Sequence, residues 1–119
     1  CHGRIFFIPR KNFSPDLLLL WDREMLAGTY LPKWVKIQNA SETVDALTFI
    51  ADPTHKDYLP PGDLKEIAMM VSLARGQRGP NLDYLRNTVE TLHQLELRDS
   101  GLERILDLAT RKADLHLSE

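Results

Sequence analysis

A single cysteine, Cys1, is all that the 119 residues supply, which excludes a disulfide framework and any metal site built on paired thiolates. A reducing, cytoplasmic setting is the expectation. Basic excess is also lacking: 15 Lys and Arg stand against 17 Asp and Glu for a formal charge of -2, and the cations are scattered. That pattern lacks the positive stripe by which a protein displaces counterions from a nucleic acid, so nucleic acid is excluded as a main partner. No stretch approaches the roughly 18 to 20 continuous apolar residues of a membrane helix; Leu17 to Trp21 is far too short. The four histidines at positions 2, 55, 93 and 116 show no i, i+4 ligand spacing, which argues against a metal centre. A nucleophilic Cys1 assisted by His2 is chemically conceivable, but a cut chain end explains Cys1 more simply. Asn39-Ala40-Ser41 fits a glycosylation acceptor and, in the cytoplasm, is read as a turn.

What is present is the material of one soluble domain, with 43% apolar and 27% charged residues. Arg4 to Ile8 is short, rich in β-branched and aromatic residues and stopped by Pro9, a strand pattern. Ser14-Pro15-Asp16 supplies a cap, a proline for the first helical position and a first-turn acid, predicting a helix to about Ala27 that Gly28 ends. Leu31 to Gln38 and Thr43 to Ala51 predict a hairpin across the polar turn Asn39 to Glu42. Beyond Pro60-Pro61-Gly62 the pattern turns helical. Asp63 with Glu66 predicts a capped helix ending near Gly76. A second helix starts near Pro80 with the stripe Leu82, Leu85, Val89 and Leu92. A third, opened by Ser100 with Glu103, carries Leu102, Ile105, Leu106 and Ala109. The fold class is therefore α+β, a partial mixed or antiparallel sheet with one helix between strands and about three C-terminal helices. Three strands leave a sheet edge uncovered, which points to further strands before residue 1 or on another chain. The chain opens on Cys1-His2-Gly3, without an initiator methionine, and agrees with that expectation.

Leu17, Trp21, Glu24 and Gly28 stand at i, i+4, i+7 and i+11, so Glu24 shares a helix stripe with residues that face a core. A desolvated carboxylate moves toward the range in which it accepts and returns protons, as general acid/base work requires. Spacing alone equally allows a salt-bridged or water-reaching glutamate. Tyr30 follows closely enough to bond a ligand near Glu24, yet a strand tyrosine with one hydrogen bond in a core fits as well. Gly76 to Pro80 either presents backbone N–H groups to an anion or is simply a helix stop followed by a helix start.

The run Leu20-Trp21-Asp22-Arg23-Glu24-Met25, followed by Gly28-Thr29-Tyr30-Leu31-Pro32, resembles the segment that carries the catalytic glutamate in ChaC-type γ-glutamylcyclotransferases. A second set agrees in order and spacing: Ala46 to Pro53, then Tyr58-Leu59, Gly76, Gly79-Pro80-Asn81 and Tyr84-Leu85. The resemblance runs from about Gly3 to Leu95. It implies that residues 1–119 are one domain, the C-terminal part of a larger β-barrel catalytic domain, because the family's Tyr-Gly-Ser-Leu loop occurs nowhere in them.

The implied activity is lyase cleavage of glutathione, or a related γ-glutamyl compound, to 5-oxoproline and Cys-Gly. Glu24 is the implied catalytic acid/base, and Tyr30 and Tyr84 are the implied substrate-binding residues. No metal or organic cofactor is called for. The competing reading keeps the fold without catalysis: a binding or regulatory module that lacks the γ-glutamyl loop, or half of a domain completed by strand pairing with its N-terminal half or another chain.

Overall fold

The computed structural model describes residues 2–118, which form two compact units, Arg4–Pro60 and a helical unit of residues 61–118 together with residues 2–3. The α+β class holds. Its sheets are antiparallel and two-stranded, and no closed barrel forms among the described residues.

In the first unit a 3-10 turn at Arg10–Asn12 leads into α1, Phe13–Met25. The helix opens earlier than expected: Asn12 occupies the cap position and Ser14 lies inside the first turn, because the 3-10 turn has already bent the chain into helical geometry. Gly28, at φ 67°, closes the helix end, its N–H donating to the Met25 carbonyl at 3.1 Å. Strand β1, Tyr30–Asn39, pairs with β2, Glu42–Ala51, from Tyr30 opposite Ala51 to Asn39 opposite Glu42. The two-residue link puts Ala40 at φ 51°, the left-handed position that a tight hairpin turn demands. On one face Lys36 pairs with Asp45 at 3.0 Å, and the Thr43 hydroxyl donates to Gln38 Oε1 at 2.9 Å. Further along that face lie Trp34, Leu47 and Phe49, and Phe49 meets Trp21 of α1.

The strand expected at Arg4 to Ile8 does not form. Its composition suits a strand, but an isolated extended segment gains a ladder only from a neighbour, and none of the described residues pairs with it. Phe6 and Phe7 are accordingly exposed.

The second unit packs α2 (Leu64–Leu73), α3 (Asn81–Gln94) and α4 (Ser100–Leu117). The Asp63 carboxylate caps α2, accepting from the Lys65 N–H at 3.2 Å. α2 stops at Leu73, short of Gly76, because Arg75–Gly76 (β3) and Gly79–Pro80 (β4) make a minimal hairpin. Gly79, at φ 112°, supplies the backbone freedom that hairpin needs. Asp99 rather than Ser100 caps α4, accepting from the Leu102 N–H at 3.0 Å. Glu103 does not complete a capping box; it turns to Arg98 and His93. The core of this unit is Ala68, Leu85, Val89 and Ala109. α2 and α4 make its most extensive helix contact, and each contributes a fully buried alanine there, which permits close backbone approach.

Candidate active site

Glu24 lies one residue before the end of α1, four residues ahead of the glycine that turns the chain into β1. Its side chain is 24% exposed, so the stripe position predicted from sequence does withdraw much of it from water. Trp21, one turn earlier, fixes that orientation through its edge-on contact with Phe49. The Glu24 carboxylate accepts two bonds on a single oxygen: Arg23 Nε at 3.0 Å and Nη2 at 2.8 Å both reach Oε1. Oε2 makes no hydrogen bond among the described residues. Of the alternatives open from spacing, the salt-bridged glutamate is present, with Arg23 as its partner.

Tyr30 opens β1, 41% exposed, and lies in the same unit as Glu24. It lines a cleft of about 250 Å³ at the open end of the hairpin. The strand ends contribute Thr29, Tyr30, Ala51 and Asp52, and the loop that follows β2 contributes His55, Asp57, Tyr58 and Leu59. Glu24 is not among its walls. Tyr84 belongs to the helical unit, on α3, and is 72% exposed.

The loop is shaped by its own hydrogen bonds. Asp52 Oδ1 accepts from both the N–H and the hydroxyl of Thr54, at 2.8 and 2.7 Å. The Asp52 N–H donates to the Thr29 carbonyl at 2.9 Å, which holds the loop's start against the entry to β1. Two successive turns follow, His55 N–H to Asp52 carbonyl at 3.1 Å and Tyr58 N–H to His55 carbonyl at 3.0 Å. The Asp57 N–H donates to His55 Nδ1 at 3.1 Å, which leaves Nε2 as the ring nitrogen that carries hydrogen. The side-chain and backbone donors of Thr54 hold the Asp52 carboxyl below its ordinary value of 3.8, so it is ionised at neutral pH.

Asp52, His55 and Tyr58 were not singled out as site residues from sequence. The signal available was Asp52-Pro53-Thr54, an Asx-turn pattern at a strand end, followed by a histidine and a tyrosine at turn spacing. Among the described residues no cluster of His, Cys, Asp and Glu is arranged to hold a metal ion, and no helix is long and apolar enough to cross a membrane. Cys1 lies outside the described residues.

Known proteins share this arrangement of sequence. A glutathione-specific gamma-glutamylcyclotransferase of Escherichia coli (strain K12) is 35% identical over 105 residues, 87% of this chain and 46% of that protein. Gamma-glutamylcyclotransferase 2-3 of Arabidopsis thaliana is 41% identical over 119 residues, covering 93% and 58%. A glutathione-specific gamma-glutamylcyclotransferase 1 of Danio rerio is 31% identical over 91 residues, covering 74% and 46%. The chain spans about half the length of the curated relatives it matches. The model of the family described as ChaC-like protein matches residues 1–112, and with this the chain belongs to the ChaC-like family.

Proposed function

We propose that this chain is the glutamate-bearing part of a γ-glutamylcyclotransferase, a lyase that releases 5-oxoproline from glutathione. The observation that carries the reading is Glu24: a largely withdrawn carboxylate with one unengaged oxygen, at the position the family resemblance assigns to the catalytic acid, in a chain that belongs to that family. The names of the relatives from Escherichia coli and Danio rerio support glutathione as the substrate.

The reaction is intramolecular. The α-amine nitrogen of the substrate attacks the γ-carbonyl carbon; the new C–N bond closes a five-membered ring, and the old amide C–N bond breaks. Glu24 takes a proton from the attacking amine and delivers one to the departing nitrogen, so the carboxylate is regenerated and Cys-Gly leaves as an amine. With nucleophile and electrophile in one molecule, the protein mainly holds the folded substrate in near-attack shape, a contribution on the order of several kcal/mol. Tyr30 acts as a hydrogen-bonding group for the substrate, and for Tyr84, in the helical unit, that role rests on the family resemblance alone. The hairpin carries no third strand among the described residues, and its edges are the surface on which the rest of the longer protein, or another chain, adds strands. The lone cysteine supports a cytoplasmic setting.

The test is product formation from glutathione by the full-length protein that carries this chain, with and without Glu24→Gln. The expected result is release of 5-oxoproline by the parent and a loss of roughly 100- to 10,000-fold in the variant, the range for removing a general acid/base. Parent-like turnover by the variant rejects the role of Glu24. No turnover by either protein favours the non-catalytic module.

A further inference from the structure

We propose that the cleft beside Tyr30 is the subsite for the amine-bearing leaving fragment, with the Asp52 carboxylate as the counter-charge of the ammonium that departs. The inference rests on the cyclotransferase reading and adds a residue and a product site to it.

Tyr30 joins the two, since it is both the tyrosine proposed to bind substrate and a wall of the cleft. At about 250 Å³ the cleft falls below the roughly 300–1,000 Å³ typical of sites that enclose a whole drug-sized ligand, and so suits one portion of a γ-glutamyl compound. Its walls are mixed in a way that matches that portion. Tyr30, Tyr58, Ala51 and Leu59 offer aromatic and apolar surface to a side chain, and aromatic faces also attract an ammonium. Asp52 and Asp57, with His55 as the one basic side chain among the walls, favour the ammonium end of Cys-Gly over its glycine carboxylate.

Within this pair Asp52 is the fixed member. Oδ1 is committed to Thr54, and its backbone is tied to Thr29, next to Tyr30 in sequence. Oδ2 makes no hydrogen bond among the described residues, which leaves it to accept from a ligand. Before reaction the leaving nitrogen is a neutral amide with one N–H. As the C–N bond breaks, one proton from Glu24 makes it a neutral amine, and after departure a second proton, taken from water, makes it an ammonium. A carboxylate at this place pairs with the ammonium once it has formed, and so favours the released product over the neutral amide.

The test is inhibition of glutathione turnover by added Cys-Gly in the full-length protein, compared with inhibition by N-acetyl-Cys-Gly and by 5-oxoproline. Asp52→Asn retains an oxygen for Thr54 and keeps the turn. Expected are weaker inhibition by Cys-Gly in Asp52→Asn, by about tenfold or more as for a lost charge-assisted hydrogen bond, unchanged inhibition by 5-oxoproline, and weak inhibition of the parent by the N-acetyl compound. Equal inhibition by Cys-Gly in parent and variant, or equal inhibition of the parent by the acetylated and free dipeptides, overturns the subsite. A separate titration of Cys-Gly followed by NMR of the His55 and Tyr58 rings reports the cleft without turnover. Shifts there that Asp52→Asn abolishes support the subsite, and their absence counts against it. Absence of 5-oxoproline from every γ-glutamyl compound tried is a failure of the cyclotransferase reading, which this titration distinguishes.

Discussion

The ring of Trp21 meets that of Phe49 edge-on, with centroids 6.1 Å apart and planes inclined at 71°. Trp21 precedes Glu24 by one helical turn, and Phe49 lies on β2 opposite Pro32. The pair therefore fixes the rotation of α1 about its own axis relative to the hairpin, and with it the direction of Glu24. Trp21→Ala is expected to destabilise this unit by about 1–2 kcal/mol, below the value for a fully buried aromatic because Trp21 is 40% exposed. Trp21→Phe is expected to recover most of that loss. Denaturant unfolding gives the stabilities. 5-oxoproline release should fall in the alanine variant more than the small change in stability alone explains. Activity that tracks only the folded fraction would show that Trp21 does not orient Glu24.

How far the sequence could be read depended on whether the physics was local. The hairpin register and the apolar stripes of α3 and α4 follow from side-chain periodicity, and Leu85, Val89 and Ala109 are buried as their spacing predicts. Asp63 caps α2 because its carboxylate needs only the next turn's N–H. Arg4 to Ile8 shows the opposite case, since whether β-prone residues become a strand depends on a neighbour that composition does not reveal. Ser100 and Asp99 are both good caps one residue apart, and the choice between them rests on backbone angles that tertiary contacts decide. For the site, the helical spacing of Glu24 was legible. The cleft was not, because it depends on the Asp52 to Leu59 loop folding back beside Tyr30 through turns whose hydrogen bonds no periodicity encodes.

The end of α3 carries a residue that its backbone does not favour. Glu96 stands at φ 60°, its N–H donating to the His93 carbonyl at 2.9 Å, while the Leu97 N–H reaches the Leu92 carbonyl at 2.8 Å. This is the Schellman pattern, with glutamate where glycine is the usual occupant. Glu96→Gly is expected to stabilise the helical unit by about 0.5–1 kcal/mol by relieving the left-handed strain, and Glu96→Val to destabilise it by a similar or larger amount. Thermal or denaturant unfolding checks both, and equal stability of the glycine and valine variants would refute the strain.

Glu103 ties three segments together. Arg98 Nε and Nη2 donate to its two oxygens at 2.7 and 3.0 Å, and His93 Nε2 lies 2.9 Å from Oε1. The hydrogen bonds from Arg98 first, and from His93 second, hold the Glu103 carboxyl below its ordinary value of 4.5. The same pairing raises the Arg98 guanidinium above its ordinary value. Because the carboxyl is depressed in the folded protein, its contribution is fully present above the unfolded value and is lost as pH falls through the lower, folded one. Protonated Glu103 no longer attracts Arg98, and the link between the α3–α4 connection and α4 weakens. Unfolding measured from pH 7 down to pH 2 is expected to show a stability decline that is shallower below about pH 4.5 in Glu103→Gln than in the parent, with the two differing most near neutral pH. The clasp is exposed to solvent, so raising the salt concentration should shrink that difference. Parallel pH profiles for parent and variant would mean that the Arg98 and His93 contacts add nothing to folding.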